Sequence, residues 1–408
     1  MWPVVGLSPM LLVLLEEFRT CFQRSDQFQH FCEYVTALIV SHRFSVQALN
    51  DIFTGHRDAS TKTRFMSESP WKVEKVMRRL MRLVRERAGF TKPSRGYLVI
   101  DDVILHHDSD TEAMAQVDWV WDHAIKRFVK GHVLVTAHWV TPHGHYPVAF
   151  RVDYPGGTIT KHELAAWLVK KCLRSGLMFE TVIFDSWYFA PALVEPIEKC
   201  GLNWVSRLKN DRVFLGHTSE RRKIMDHFIE LPTNAWETME IDGQEETFAA
   251  GCFTLTDGKR VKVVAMKSTE EENGIILLVT NAKTWKPESI IRTYRHRNAI
   301  ETFYRDGKQN LGLESYMLQS LEGAKRHLCM SFVAFTILQL GARHPRLGRL
   351  IQEHAPSVGS MCQRMVTEAA RMFLLWLMKC FGAGHDAGET LAMAFMSRRQ
   401  LGAVMTPM

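Results

Sequence analysis

The sequence predicts an α/β fold: a mixed sheet flanked by helices, interrupted by a mainly β insertion, with helical N- and C-terminal regions. Three observations carry this. Apolar positions recur at helical spacing from the start to about residue 95. Short runs rich in β-branched and aromatic residues then follow one another from Tyr97 to Val152. Beyond them, helical and strand patterns alternate, as expected of parallel β/α units.

The helical spacing is clearest in Leu11–Phe22, Phe28–Ile39 and Val73–Val84, the last preceded by Pro70 as an N-terminal stop. Tyr97–Leu105, Val133–Val140 and Tyr146–Val152 read as three consecutive antiparallel strands, the last two joined by the turn Thr141-Pro-His-Gly144. Glu163–Leu177 reads as helix, Thr181–Asp185 as strand, Pro191–Cys200 as helix and Trp204–Arg207 as strand. From Asn210 the alternation stops, and Arg212–Leu215, Phe248–Thr256 and Arg260–Met266 suggest an inserted β module. The strand Gly274–Asn281 returns to the core, followed by one long helix from Pro287 to Gln309 and further helices. The chain therefore divides into a helical region (1–95), a first core segment (96–209), the insertion (210–273), a second core segment (274–325) and a helical region suited to dimerisation (326–408).

With 46% hydrophobic and 23% charged residues, the composition allows a large core and excludes global disorder. The formal charge is +7, and the segment Trp71–Gly96 alone holds nine Lys or Arg, including Arg78, Arg82, Arg85, Lys92 and Arg95, against two Glu. Such clustering is the electrostatic footprint of a phosphate-backbone binder. The eight cysteines form no CxxC pair, so neither a zinc site nor a disulfide framework is implied, and a reducing compartment fits best. The apolar runs Met10–Leu15 and Met372–Met378 are too short to cross a bilayer.

Three carboxylates stand out. Asp102 lies in a strand apolar on both pleat faces, where a carboxylate is costly unless paired, hydrogen-bonded or metal-bound. Its neighbour Asp101 points to the opposite face, so only one of the two can join a given site. Asp185 ends a strand and opens the turn Asp185-Ser-Trp-Tyr188, at the carboxyl end where open sheets put ligands, although an N-cap role would use the same residue. Glu301 shares a helix stripe with Tyr294, Arg297, Arg305 and Lys308, within an arc of about 80° at 100° per residue. A solvated, salt-bridged face is the ordinary meaning of such a stripe. A carboxylate flanked by bases also suits a metal ligand working beside phosphates, since two-metal phosphodiester cleavage needs about three acids to hold ions roughly 3.5–4 Å apart.

Tyr294-x2-Arg297-x3-Glu301-x6-Lys308 resembles the Tyr-Arg-Glu-Lys signature of bacterial insertion-sequence transposases that use a DDE triad. The segments VIDD (99–102) and VIFDSWY (182–188) resemble that family's other two blocks, in the same order. The resemblance spans residues 97–310 and implies an RNase H-like core with its β insertion between the second Asp and the Glu. It implies that Asp102, Asp185 and Glu301 bind two Mg²⁺ ions, with Mn²⁺ able to substitute, and that Tyr294, Arg297 and Lys308 grip DNA. In the family's pattern the second acid of such a pair is catalytic, which selects Asp102 over Asp101.

The implied activity is sequence-specific binding of double-stranded DNA, metal-dependent cleavage at element ends and strand transfer into target DNA. Arg78, Arg82 and Arg85 of the basic segment are expected on terminal DNA, a homodimer is expected in the DNA complex because two element ends must be joined to one target, and the resemblance implies a bacterial cytoplasmic, nucleoid-associated location. Trp285 and Trp236 are candidates for trapping a flipped base, though a Trp more often serves a core. A junction-resolving nuclease would share the carboxylates without needing the basic stripe. A non-catalytic DNA-binding derivative would bind without metal and not cut.

Overall fold

The computed structural model describes residues 2–56, 58–87, 96–111, 113–154, 156–215, 220–269, 271, 274–343 and 357–396. Lys92 and Arg95 of the basic segment lie outside the described residues, as do parts of the insertion and of the C-terminal region. Among the described residues, five α-helices and one 3-10 turn (Glu16–Cys21) precede the first strand: α1 (Pro9–Leu15), α2 (Ser25–Val40), α3 (Val46–Asp51), α4 (Ala59–Ser67) and α5 (Val73–Arg87). Ser8 caps α1 by accepting from the Met10 N–H, with Pro9 at the first helical position. In α5, Val73, Val76, Met77, Leu80, Met81, Leu83 and Val84 are buried, so one face packs inward and the arginines stay on the other.

β1 (Tyr97–His107), β2 (Asp118–Asp122), β3 (Arg127–Thr141) and β4 (Gly144–Asp153) come next. β3 pairs antiparallel with β1, β2 and β4, so the expected meander is present with one added short strand. α6 (Lys161–Arg174) crosses to β5 (Thr181–Phe184), which lies parallel to β1, and α7 (Pro191–Lys199) crosses to β6 (Asn203–Arg207), parallel to β5. The order β4-β3-β1-β5-β6 is RNase H-like.

The inserted strands continue the central sheet. After the ribbon β7 (Val213–Leu215) with β8 (Arg221–Lys223) and the helix α8 (Ile224–Ile229), the strands β9 (Glu237–Ile241), β10 (Gln244–Thr254) and β11 (Arg260–Lys267) extend the central sheet. β12 (Ile275–Thr280) joins them to it, pairing β11 on one edge and β6 on the other. Apolar residues of β11, among them Val261, Val263 and Ala265, belong to the main core, which is why these strands stay on the sheet.

α9 (Pro287–Arg295) and α10 (Asn298–Asn310) follow, then α11 (Leu321–Gly341), α12 (Val358–Gly382) and α13 (Ala387–Phe395). The N-terminal helices share one core with α11, where the Tyr34 hydroxyl lies 2.9 Å from His327 Nδ1. α6 packs on one sheet face over Leu98, Ile100 and Trp139, in the main core. α10 packs on the other, where Ile300 meets Val99, Val140 and Ile183. These two faces decide the site. Among the described residues, no helix is long and apolar enough to cross a membrane.

Candidate active site

Residue alternation along β1 gives Asp101 the face of Val99, toward α10, and Asp102 the face of Ile100, toward α6. Opposite Asp101 on β3, Thr136 confirms the facing, with its hydroxyl 2.5 Å from the Tyr304 hydroxyl of α10. Arg297 then ties the site together: Nη2 donates to Asp101 Oδ2 at 2.7 Å and Nη1 donates to Glu301. Asp102 is separated from Glu301, against the sequence expectation. Its Oδ2 accepts from Lys161 Nζ at 3.0 Å and its Oδ1 from the Tyr188 hydroxyl at 2.8 Å, both on the α6 side. Neighbours on a strand face apart, and the side on which α10 packs puts Asp101, not Asp102, beside Glu301.

Asp101 is buried, and its pKa is raised to about 7. Loss of solvent is the chief cause; Asp185 and Asp102 push the same way, while Arg297 opposes them. The single guanidinium of Arg297 does not offset the burial of this carboxyl. Asp185 stands at the end of β5, where its Oδ1 accepts from the backbone N–H of Trp187 at 3.0 Å and of Tyr188 at 3.2 Å. These bonds close a turn rather than cap a helix, since α7 begins at Pro191 with Ala190 as its N-cap, and Asp185 lines a cleft with Tyr294.

The stripe that carries Glu301 is not one continuous helix. Between α9 and α10, the His296, Arg297, Ala299 and Ile300 N–H groups donate to carbonyls three residues back, tightening the chain by a turn. Tyr294 and Arg297 nevertheless line the same cleft as Asp185, together with Arg207, Lys209 and Glu271, in a space of about 470 Å³. Burial and the carboxylates Asp185 and Asp101 push the Tyr294 hydroxyl up to about 12, so it is a hydrogen-bond donor at neutral pH. Lys308 is engaged elsewhere, donating to the Ile104 carbonyl at 2.9 Å and pairing with Glu314 at 2.6 Å. Arg305 is exposed and pairs only loosely with its neighbour Asp306, at 3.7 Å. Arg207 and Lys161 were missed from sequence; Arg207 sits at the carboxyl end of a parallel strand, the signal that already marked Asp185.

Hard carboxylate oxygens from Asp101, Asp185 and Glu301 are the donor set that Mg²⁺ prefers. Among the described residues no three such side chains form a metal-holding group, and Arg297 stands between Asp101 and Glu301. Its Nε is buried without a hydrogen-bond partner, a donor suited to a phosphate oxygen. The chemistry of these oxygens suits a divalent ion, while in the structure Asp101 and Glu301 share the Arg297 guanidinium.

The family model described as a DDE superfamily endonuclease matches residues 17–223, just over half of the chain. The chain belongs to the DDE superfamily endonucleases. The matched span includes Asp101, Asp102 and Asp185 and stops short of Glu301. Among solved structures, this endonuclease is similar to the piggyBac transposase in its synaptic complex with hairpin DNA. The TM-score is 0.50 at 12% identity, covering 97% of this chain and 85% of that one. That likeness concerns the fold alone. The Drosophila P element transposase strand transfer complex matches at a TM-score of 0.24 and 11% identity, over 91% of this chain and 87% of that one, too loosely to bear on the fold. No curated protein matches the endonuclease in sequence.

Both tryptophans weighed for base trapping have packing roles. Trp285 packs against the cluster around Ile290 and Ile291, and Trp236 packs on the main core with Lys267 Nζ 5.1 Å from its ring centroid.

Proposed function

We propose that this endonuclease is a transposase of the insertion-sequence type, cutting element ends and joining them to target DNA with Asp101, Asp185 and Glu301 as its acidic triad. The observation that carries it is the double engagement of Arg297, which draws Asp101 and Glu301 together beside the cleft that Asp185 lines. When bound, a pair of divalent ions, Mg²⁺ or Mn²⁺, would activate the attacking oxygen and stabilise the leaving one. Asp101 and Asp185 would hold them from the sheet and Glu301 from α10, its exposed carboxylate turning away from Arg297.

Arg297, released from Glu301, would keep one guanidinium edge on Asp101 and offer Nε to a phosphate oxygen. Tyr294 would donate its hydroxyl to the DNA backbone beside it, and Arg207 and Lys209 would line the path of the strand without reading sequence. The Tyr294, Arg297, Glu301 and Lys308 spacing supports the insertion-sequence assignment; Lys308 would act by fixing α10 against β1. A homodimer is the expected active form, since two ends must meet one target.

The test incubates the purified protein with DNA carrying its own genomic flanks in Mg²⁺ or Mn²⁺. Nicks at defined ends followed by joined products, both lost in Asp101→Asn and Glu301→Gln, support the proposal. Cleavage without joined products would reduce it to a hydrolytic nuclease, and cleavage surviving both substitutions would place the centre elsewhere.

A further inference from the structure

A second basic site lies far from the carboxylates. α5, β4 and the C-terminal half of α6 enclose a cleft of about 530 Å³. Arg78, Arg82 and Arg85 line it from α5, Arg151 from β4, and Lys171 and Arg174 from α6, with Glu74 the lone acid among the lining residues. Among the described residues, none of these six cations has a carboxylate oxygen within ion-pair distance.

What holds two of them is an aromatic face. The Arg151 guanidinium carbon lies 3.9 Å from the Trp167 ring centroid, and Lys171 Nζ lies 4.9 Å from the same centroid. A ring positions a cation without neutralising it, so the charge stays available to an anion. Arg85 is fixed by donating to the Ser175 carbonyl at 3.3 Å. Gly176, at φ +75, allows this, because a Cβ there would come within 2.5 Å of Arg85 Nη1. The cleft is thus lined by positioned, uncompensated charge.

Its location sets its role. α6 begins with Lys161 at Asp102, near the carboxyl end of β5, and runs back to Arg174. At 1.5 Å per residue the helix is roughly 20 Å long, and it lies on the sheet face opposite Glu301. Each wall, from Arg78 to Arg85 and from Trp167 to Arg174, is about 10 Å long, which matches roughly three successive phosphates of one DNA strand at 3.4 Å of axis each.

We infer that this cleft is a backbone-phosphate site for duplex DNA, holding a stretch of DNA remote from the phosphodiester being cut. The inference rests on the DNA function proposed above and adds Arg151, Trp167, Lys171 and Arg174 of the catalytic core to the α5 arginines. The double variant Arg82→Gln/Arg174→Gln removes two exposed cations without touching the core. In full-length protein, duplex affinity measured by fluorescence anisotropy across 50–200 mM salt should fall by roughly tenfold. The slope of log affinity against log salt should drop by about two. Arg371→Gln, which removes an exposed cation already paired with Glu368, should keep the wild-type slope when measured alongside.

If wild type binds and cuts DNA but the double variant keeps the wild-type slope, the cleft inference fails and the proposed function stands. If wild type neither binds nor cuts, both fail. Inorganic phosphate and ATP serve as competitors. Loss of their binding in the double variant, with an unchanged duplex slope, would assign the cleft to a free phosphate and overturn the inference.

Discussion

The Arg297 guanidinium lies between Asp101 and Glu301, carboxylates that the chain separates by 200 residues, with Nη2 2.7 Å from Asp101 Oδ2. A cation so placed shields two acids that otherwise repel. Replacing it by glutamine leaves Asp101 buried beside Asp185 without a counter-charge, and breaking a buried pair from one side costs about 3–5 kcal/mol. Arg297→Gln should therefore lower the thermal midpoint in EDTA, and Mg²⁺ should recover more of that loss than it adds to wild type. Differential scanning calorimetry with and without Mg²⁺ checks this; an unchanged midpoint in EDTA would mean that the guanidinium contributes nothing to holding the acids.

The neighbouring aspartates should behave differently. Asp101→Asn and Glu301→Gln are expected to reduce metal-dependent cleavage by about a thousandfold or more, on the order of 4 kcal/mol of transition-state stabilisation. Asp102→Asn keeps a group that can still meet Lys161 and Tyr188, and its activity should remain within about tenfold of wild type. Single-turnover nicking decides between them. If Asp102→Asn is the dead variant and Asp101→Asn the active one, the catalytic face is the α6 face.

Sequence alternation already separated Asp101 from Asp102, because a strand forces neighbours apart. It could not say which face received Glu301, since that depends on Ile300 packing over Val99 and Ile183 from elements far along the chain. For the same reason Lys161 and Tyr188, which hold Asp102 from 59 and 86 residues away, left no local signal. The strands of the core were legible because each has its own period, and the carboxyl end of β5 marked Asp185. The break at His296–Arg297 was not, because a tightened turn keeps helical backbone angles and leaves the apolar pattern almost unchanged. That the inserted strands continue the central sheet left no local mark, because β11 pairs with β12, and β12 with β6, across the insertion's charged turns.

Acid should weaken the fold through its buried histidines, an effect that the raised pKa of Asp101 opposes below about pH 7. His327 is fully buried, its Nε2 2.7 Å from the Gly312 carbonyl, which can only accept, so the Tyr34 hydroxyl donates to Nδ1 and the ring is neutral. Burial holds its pKa down to about 4, and burial with Arg343 nearby does the same for His145. In the unfolded chain both take a proton near pH 6.5, so the unfolded state gains protons first as pH falls. Stability is complete above about pH 6.5 and declines as pH drops toward 4, by about 3 kcal/mol for His327. Urea denaturation at pH 7.5, 5.5 and 4.5, on the order of one unit either side of the ordinary histidine pKa and below, should show this fall. The loss between pH 7.5 and 4.5 should be smaller in His327→Gln than in wild type, and identical profiles in the two would contradict the neutral ring.

Arg326 of α11 organises a connection that no sequence pattern marked. Its guanidinium is buried and donates to the carbonyls of Met66 at 2.9 Å, Ser69 at 2.5 Å and Trp71 at 2.8 Å, while lying 4.7 Å from the Trp71 ring centroid. One side chain thus satisfies the backbone of the α4–α5 connection, which carries no regular secondary structure of its own. Arg326→Leu keeps the apolar stem but strands three acceptors, each costing about 1–3 kcal/mol when buried and unpaired. The connection should open before the sheet unfolds, releasing α5 and with it one wall of the basic cleft. Limited proteolysis of Arg326→Leu should cut first between Met66 and Lys72, at a protease concentration that leaves wild type intact. Cleavage beginning instead within α12 would show that the α4–α5 connection holds without the arginine.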